Sequence, residues 1–156
     1  MPSLDKLNEN TRNTILTLPV DVNEATPFVR PAKALERSRV ALVTTAGLHL
    51  RDDRVFINQD PTYRIIPSNS AASDIVQSHT SIGFDRTAAL EDINVCFPID
   101  RLRELVEQGR VGEMAPRFVS FMGAQRDLTP LKTRTGPEVA ELLLADGVDV
   151  VVLTPT

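Results

Sequence analysis

Apolar residues run unbroken through Val40-Ala41-Leu42-Val43 into Thr44-Thr45 and stop at Ala46-Gly47, and a second such run spans Val148-Asp149-Val150-Val151-Val152-Leu153-Thr154. A stretch apolar on both faces predicts a buried parallel strand, and the second run, the stronger of the two, is expected at the centre of the sheet. Arg117-Phe118-Val119-Ser120-Phe121 alternates apolar and polar positions ahead of Met122-Gly123, which predicts a strand emptying into a loop. Between these strands, Leu102, Leu105 and Val106 fall at the i, i+3, i+4 spacing, so the pattern predicts an amphipathic helix over 98–109 that ends at Gly109. Thr135-Gly136-Pro137-Glu138 reads as a capping box, with Thr135 at the N-cap and Glu138 at N3. The stripe Val139, Leu142, Leu143 follows, and Asp146-Gly147 makes the stop.

Weaker signals complete the outline. Residues 32–38 read as a short helix and 73–77 as a short strand, while 52–69, rich in Asp, Asn, Pro and Arg, reads as a surface excursion with an extended piece at 63–66. Residues 1–31 hold four of the eleven prolines, so no long regular element is expected there and the stretch is taken as an arm over the core or a partner. The alternation of strand and helix over 32–156 predicts an α/β fold, a mostly parallel sheet with flanking helices. A buried parallel strand ordinarily leads into a crossover helix, so the fold is expected to be incomplete at its C-terminus. Ligands of open α/β sheets bind beyond the carboxyl ends of the strands, which puts the expected chemistry in the loop after Thr154.

Composition narrows the classes without adding a new one. Hydrophobic residues are 42% and charged residues 24% of the 156, close to the soluble average. A net charge of −4 and a pI near 5.2 oppose a phosphate backbone, so nucleic acid is set aside. The N-terminal residues lack a signal-like pattern and no stretch approaches a membrane span, which makes a cytoplasmic protein the expectation. The single cysteine, Cys96, cannot close an internal disulfide.

Both histidines are expected at strand ends, His49 after the first strand and His79 after the short one. Imidazole there suits proton transfer, and a histidine merely hydrogen-bonded in a loop is the competing reading. Their spacing from Cys96 does not fit a zinc site, so no metal is expected. Cys96 between apolar neighbours reads as a small buried hydrophobe. Thr45 and Gly47 belong to a turn suited to cradling an anion. Asp85 and Arg86 are suited to holding a carboxylate-bearing substrate, and a solvated turn is an equal alternative. There is no glycine-rich nucleotide fingerprint, so no cofactor is assigned to this chain.

Read in order, Val40 to His49, Ser78-His79, Asp92-Ile93-Asn94, the run Phe97-Pro98-Ile99-Asp100-Arg101-Leu102-Arg103-Glu104-Leu105, Phe121-Met122-Gly123 and Asp146 to Thr154 resemble the selenoprotein B family of glycine, sarcosine, betaine and D-proline reductases. The family's aromatic-Asp pair after Ser-His is shifted here to Phe84-Asp85. The resemblance implies that the last strand leads into a selenocysteine or cysteine, followed closely by a second cysteine. It places that chalcogen just past Thr156, where a UGA codon would be read as a stop, and implies that the 156 residues alone are inactive. It further implies a small amino-acid substrate, a pyruvoyl group on a partner subunit, a thiol electron donor, and His49 and His79 near the chalcogen. Two other classes remain open on the sequence: a cysteine-based racemase or lyase of similar α/β build, and a non-catalytic binding or assembly subunit.

Overall fold

A computed structural model describes residues 3–17, 24, 29–81 and 86–155. The chain divides into two compact units, Met1–Arg30 and Pro31–Thr156. The first contains a 3-10 turn at Leu4–Lys6 and the helix α1, Glu9–Leu16. This two-turn helix is absent from the sequence reading. Pro2 and Pro19 bracket a proline-free window, and Asn8 caps it by accepting from Thr11 N at 2.9 Å.

The second unit is built on β1, Arg39–Thr44, whose Val40, Ala41 and Leu42 are buried on both faces. Along one edge of β1 runs a strand in two pieces, β5 (Glu113–Met114) and β6 (Arg117–Phe121), both parallel to it. The register slips by two residues between the pieces, where Ala115-Pro116 interrupts the ladder. On the other edge lies β7, Val150–Thr154, also parallel, and β3, Tyr63–Pro67, pairs antiparallel on the far side of β6. A two-stranded antiparallel ribbon, β2 (Leu48–Leu50) with β4 (Ile75–Gln77), stands beside this mostly parallel sheet.

Helices α2 (Thr87–Glu91), α3 (Ile99–Glu107) and α4 (Gly136–Ala145) complete the unit. Ile99 and Leu102 of α3, with Val139 and Leu143 of α4, join Leu42, Ile66, Phe97 and Phe118 in one core. The Phe97 and Phe118 rings meet edge to face, 5.8 Å between centroids. After α4, Gly147 adopts φ +68, so that its N–H reaches Leu144 O and that of Val148 reaches Leu143 O, turning the chain directly into β7. Asp149 then accepts from Arg39 N at 2.9 Å and from Lys33 Nζ, fixing the start of β7 against β1.

Several expectations are corrected. β7 is an edge strand among the described residues and β1 is the central one. Val151, Val152 and Leu153 are 38, 39 and 68% exposed, because an apolar sequence reports what a strand is suited to, not what covers it. Thr135 is no N-cap: it lies inside a π-helical turn, Leu131–Thr135, continuous with α4, and its side chain is buried. Gly136 permits that turn, since a Cβ there would sit 2.5 Å from Leu131 O. The helix expected over 32–38 shrinks to a 3-10 turn, Leu35–Arg37. The supposed surface excursion is partly core, with Phe56, Asp60 and Arg64 buried and β3 inside the main sheet. The short strand over 73–77 begins at Ile75 and belongs to the ribbon rather than to the parallel sheet.

Candidate functional site

The carboxyl ends of the three parallel strands are level, because Thr44 is the register partner of both Ser120 on β6 and Thr154 on β7. The segment leaving β1 laces them together. Thr44 Oγ1 lies 3.1 Å from both Cys96 O and Thr154 O and accepts from Ala46 N. Thr45 N donates to Thr154 O, and Ala46 bridges Met122. Gly47 N donates to Phe121 O at 2.9 Å, and Gly47 O accepts from Ser78 N at 3.0 Å. Gly47 holds φ +64, and a Cβ on it would stand 3.1 Å from His79 N and Cα, so this position requires glycine both for its dihedral and for the close approach of His79.

Four of the sequence-selected residues therefore gather at one place. His79 is buried against Gly47, Arg86 Nη1 reaches His79 O at 3.4 Å, and Thr45 lies half-buried beside them. Burial, and then the positive charge of Arg86, hold the His79 pKa below its usual value, so the ring is neutral at pH 7. Its Nδ1 accepts from Ser81 N at 3.2 Å, which puts the proton of the neutral ring on Nε2.

His49 is held differently. It lies within β2 rather than in a loop, is buried, and its Nδ1 stands 2.7 Å from Leu50 O. A carbonyl only accepts, so Nδ1 carries the proton and Nε2 keeps the lone pair. The ring meets Phe56 edge-on at 6.4 Å, and the guanidinium of Arg64 covers that same Phe56 ring at 4.2 Å. All five N–H groups of Arg64 are used: Nε on Arg54 O, Nη1 on Thr62 Oγ1 and Tyr63 O, Nη2 on Val55 O and on Asp60 Oδ2 at 3.2 Å. Burial pushes the Asp60 carboxyl up, but the bonds from Thr62 and Arg64 outweigh it and leave the pKa below the usual range. This ion pair escaped the sequence reading, and the only signal was Asp60 and Arg64 in a segment that Phe56 and Ile66 could have marked as core.

Asp85 lies outside the described residues. Cys96 is buried, and burial raises its thiol pKa, so it is a poor nucleophile where it stands. No group of three or more histidine, cysteine, aspartate or glutamate side chains suited to a metal occurs among the described residues. None of their helices is long and apolar enough to cross a membrane. A cleft of about 470 Å³ lies between β4 and the α2–α3 connection and touches Arg51, Gln77, Asp92 and Asn94, with neither histidine in its lining. A smaller hollow of about 210 Å³ opens beside His79, next to Thr80 and Ser81.

The family model for glycine/sarcosine/betaine reductase selenoprotein B matches residues 3–156. The D-proline reductase subunit gamma of Acetoanaerobium sticklandii is 40% identical over 123 residues, 78% of this chain and 50% of that protein. The sarcosine reductase complex component B subunit beta of Peptoclostridium acidaminophilum is 31% identical over 157 residues, 98% of this chain and 35% of that protein. The glycine reductase complex component B subunit gamma of Carboxydothermus hydrogenoformans is 26% identical over 149 residues, 92% and 34% respectively. The chain thus spans from about a third to half the length of these relatives, and no solved structure matches it. With the family model covering all but the first two residues, this chain belongs to the glycine/sarcosine/betaine reductase selenoprotein B family.

Proposed function

We propose that this chain forms the substrate-facing part of an amino-acid reductase subunit, of the glycine, sarcosine, betaine or D-proline class, that cleaves a C–N bond reductively. The observation that carries the reading is the knot at the carboxyl edge, where Thr44 and Thr45 bond the end of β7 at Thr154 and, two residues on, Gly47 packs against His79. A chain emerging from β7 enters the site at that point.

The chain's own side chains supply positioning and protons. The neutral His79 offers an Nε2 N–H that can hydrogen-bond the departing nitrogen, and His49 Nε2 offers a lone pair that can accept a proton, the two tautomers being fixed by Ser81 N and Leu50 O. Thr45, Gly47, Arg86 and, beyond the described residues, Asp85 hold the substrate. The attacking selenolate or thiolate lies outside these 156 residues: the relatives are two to three times as long, and the thiol of Cys96 is buried and held protonated. In the assembled enzyme a pyruvoyl group of a partner subunit supplies an electrophile for the substrate amine, and an external dithiol supplies two electrons, becoming a disulfide as the C–N bond is replaced by C–H and N–H. Such chemistry belongs in the cytoplasm, where thiols stay reduced. The apolar face of β7 is covered there by the remainder of the subunit.

The test is to purify the native complex and assay amine release from D-proline, glycine, sarcosine and betaine with a dithiol as reductant, beside the 156-residue chain alone. Turnover of one substrate by the complex and none by the isolated chain is the expected result. Turnover by the isolated chain, or none by the complex on any of the four, overturns the proposal.

A further inference from the structure

The hollow beside His79 has walls of an unusual kind. One wall is Asn58-Gln59 and the other Ala124 to Arg126, with Thr80 and Ser81 between them. Gln59 (φ 58) and Ala124 (φ 53) are the non-glycine residues held in the left-handed region among those described, and they face each other across this hollow. Such backbone persists only where its surroundings over-determine it. Here Gln59 clamps both walls, donating from Nε2 to Ala124 O at 2.8 Å and accepting from Arg126 N at Oε1 at 2.7 Å. Gln125 repeats the clamp, donating from Nε2 to Asp60 O at 2.8 Å and Met122 O at 3.1 Å. Asp60 is itself anchored by Arg64, so the buried ion pair stands behind the hollow.

Among the described residues, those that line it are Asn58, Gln59, Thr80, Ser81, Ala124 and Arg126, none of them acidic, and the one charge they carry is that of Arg126, which is exposed and forms no ion pair with another described residue. A pre-shaped recess of about 210 Å³, singly positive in its described lining, has room for a few heavy atoms and suits a small anion gripped by a planar guanidinium fork. The recess adjoins His79 directly, because Ser81, in its lining, donates its N–H to His79 Nδ1.

We infer that this hollow is the subsite for the carboxylate of the substrate, with Arg126 as its anchor and Gln59 as the residue that positions Arg126. The inference rests on the reductase reading for the identity of the substrate, but the carboxylate site itself does not. Arg126 is not among the residues that the sequence singled out, since a lone arginine in a loop has no periodic or motif signal.

The test is an amide NMR titration of the protein with sodium propionate, and with propionamide as the uncharged control. Propionate should shift Thr80, Ala124 and Arg126 saturably while propionamide leaves them in place. Arg126→Gln should weaken propionate binding by about tenfold or more, as expected for loss of one charge-assisted pair. Arg126→Lys should recover part of the affinity, and Arg51→Gln should change it by less than about twofold. The same spectra show whether each variant is folded. Equal shifts with propionamide, unchanged binding in Arg126→Gln, or loss in Arg51→Gln instead would overturn the assignment. In the native complex, Arg126→Gln should raise KM for the amino acid with kcat nearly unchanged. An active complex whose KM ignores Arg126 refutes the subsite alone, whereas a complex inactive on every amino acid that still binds propionate through Arg126 refutes the reductase reading alone.

Discussion

Replacing Arg64 with methionine keeps most of the side-chain volume but removes five donors at once. Four of their acceptors, the carbonyls of Arg54, Val55 and Tyr63 and the carboxylate of Asp60, lie around a side chain only 9% exposed. Water cannot readily take its place, and Asp60, itself 3% exposed, would keep its bonds from Thr62 but lose its countercharge. Breaking one partner of a buried pair costs about 3–5 kcal/mol, a large share of the roughly 5–15 kcal/mol that holds a domain together. Arg64→Lys should regain only part of this, because an ammonium cannot reach carbonyls on both sides of a planar fork. The loss should also be smaller when Asp60→Asn is already present, giving a coupling of about 0.5–3 kcal/mol in a double-mutant cycle. Denaturant unfolding of the four proteins measures both numbers. The ring signals of His49 should move as well, since Arg64 packs on one face of the Phe56 ring that His49 meets at its edge, while those of His79 stay put. A loss below about 1 kcal/mol, or one equal in both Asp60 backgrounds, would refute the reasoning.

Gly47→Ala should destabilise the protein by about 1–2 kcal/mol for the left-handed dihedral alone, and should displace His79, seen as a shift of its ring signals; an unchanged midpoint and spectrum would contradict this. Because the folded pKa of His79 lies below 6.5, the unfolded state binds more protons between those two values, so stability is full above about pH 6.5 and is lost as pH falls through that window. His79→Gln should flatten that part of the stability–pH curve, measured as denaturant midpoints from pH 5 to 8 (about the range in which histidine titrates), and an identical slope would count against it. Thr135→Val removes a buried hydroxyl whose Oγ1 has no partner among the described residues and should stabilise by about 1–3 kcal/mol; a fall in midpoint would show that the hydroxyl serves the π-turn.

The parts of the fold that the sequence shows are those in which burial and periodicity agree. β1, α3 and β6 are each found where their apolar pattern places them, and Gly147 where the stop of α4 was read. β7 was located but set in the wrong place in the sheet, because apolar residues on both faces do not say which neighbours the strand has. The buried Asp60–Arg64 pair and β3 were hidden inside a segment whose charge and prolines resemble a surface loop, and only tertiary contact turns such residues inward. The meeting of Gly47 with His79 was half visible, since both follow strands. Gln59, Ala124 and Arg126 were not visible, since left-handed backbone at a non-glycine residue leaves no mark in composition or spacing.

The claim on which the rest depends is that the carboxyl edge of this sheet serves a low-pKa chalcogen that is not Cys96. The native reductase complex should be treated with iodoacetamide at mildly acidic pH, where an ordinary thiol is almost wholly protonated and a selenolate or activated thiolate still reacts. The adduct is then mapped by mass spectrometry alongside the loss of activity. Inactivation with the adduct outside residues 1–156, Cys96 unmodified, and protection by the amino-acid substrate is the predicted result. Inactivation that tracks modification of Cys96 would contradict the account.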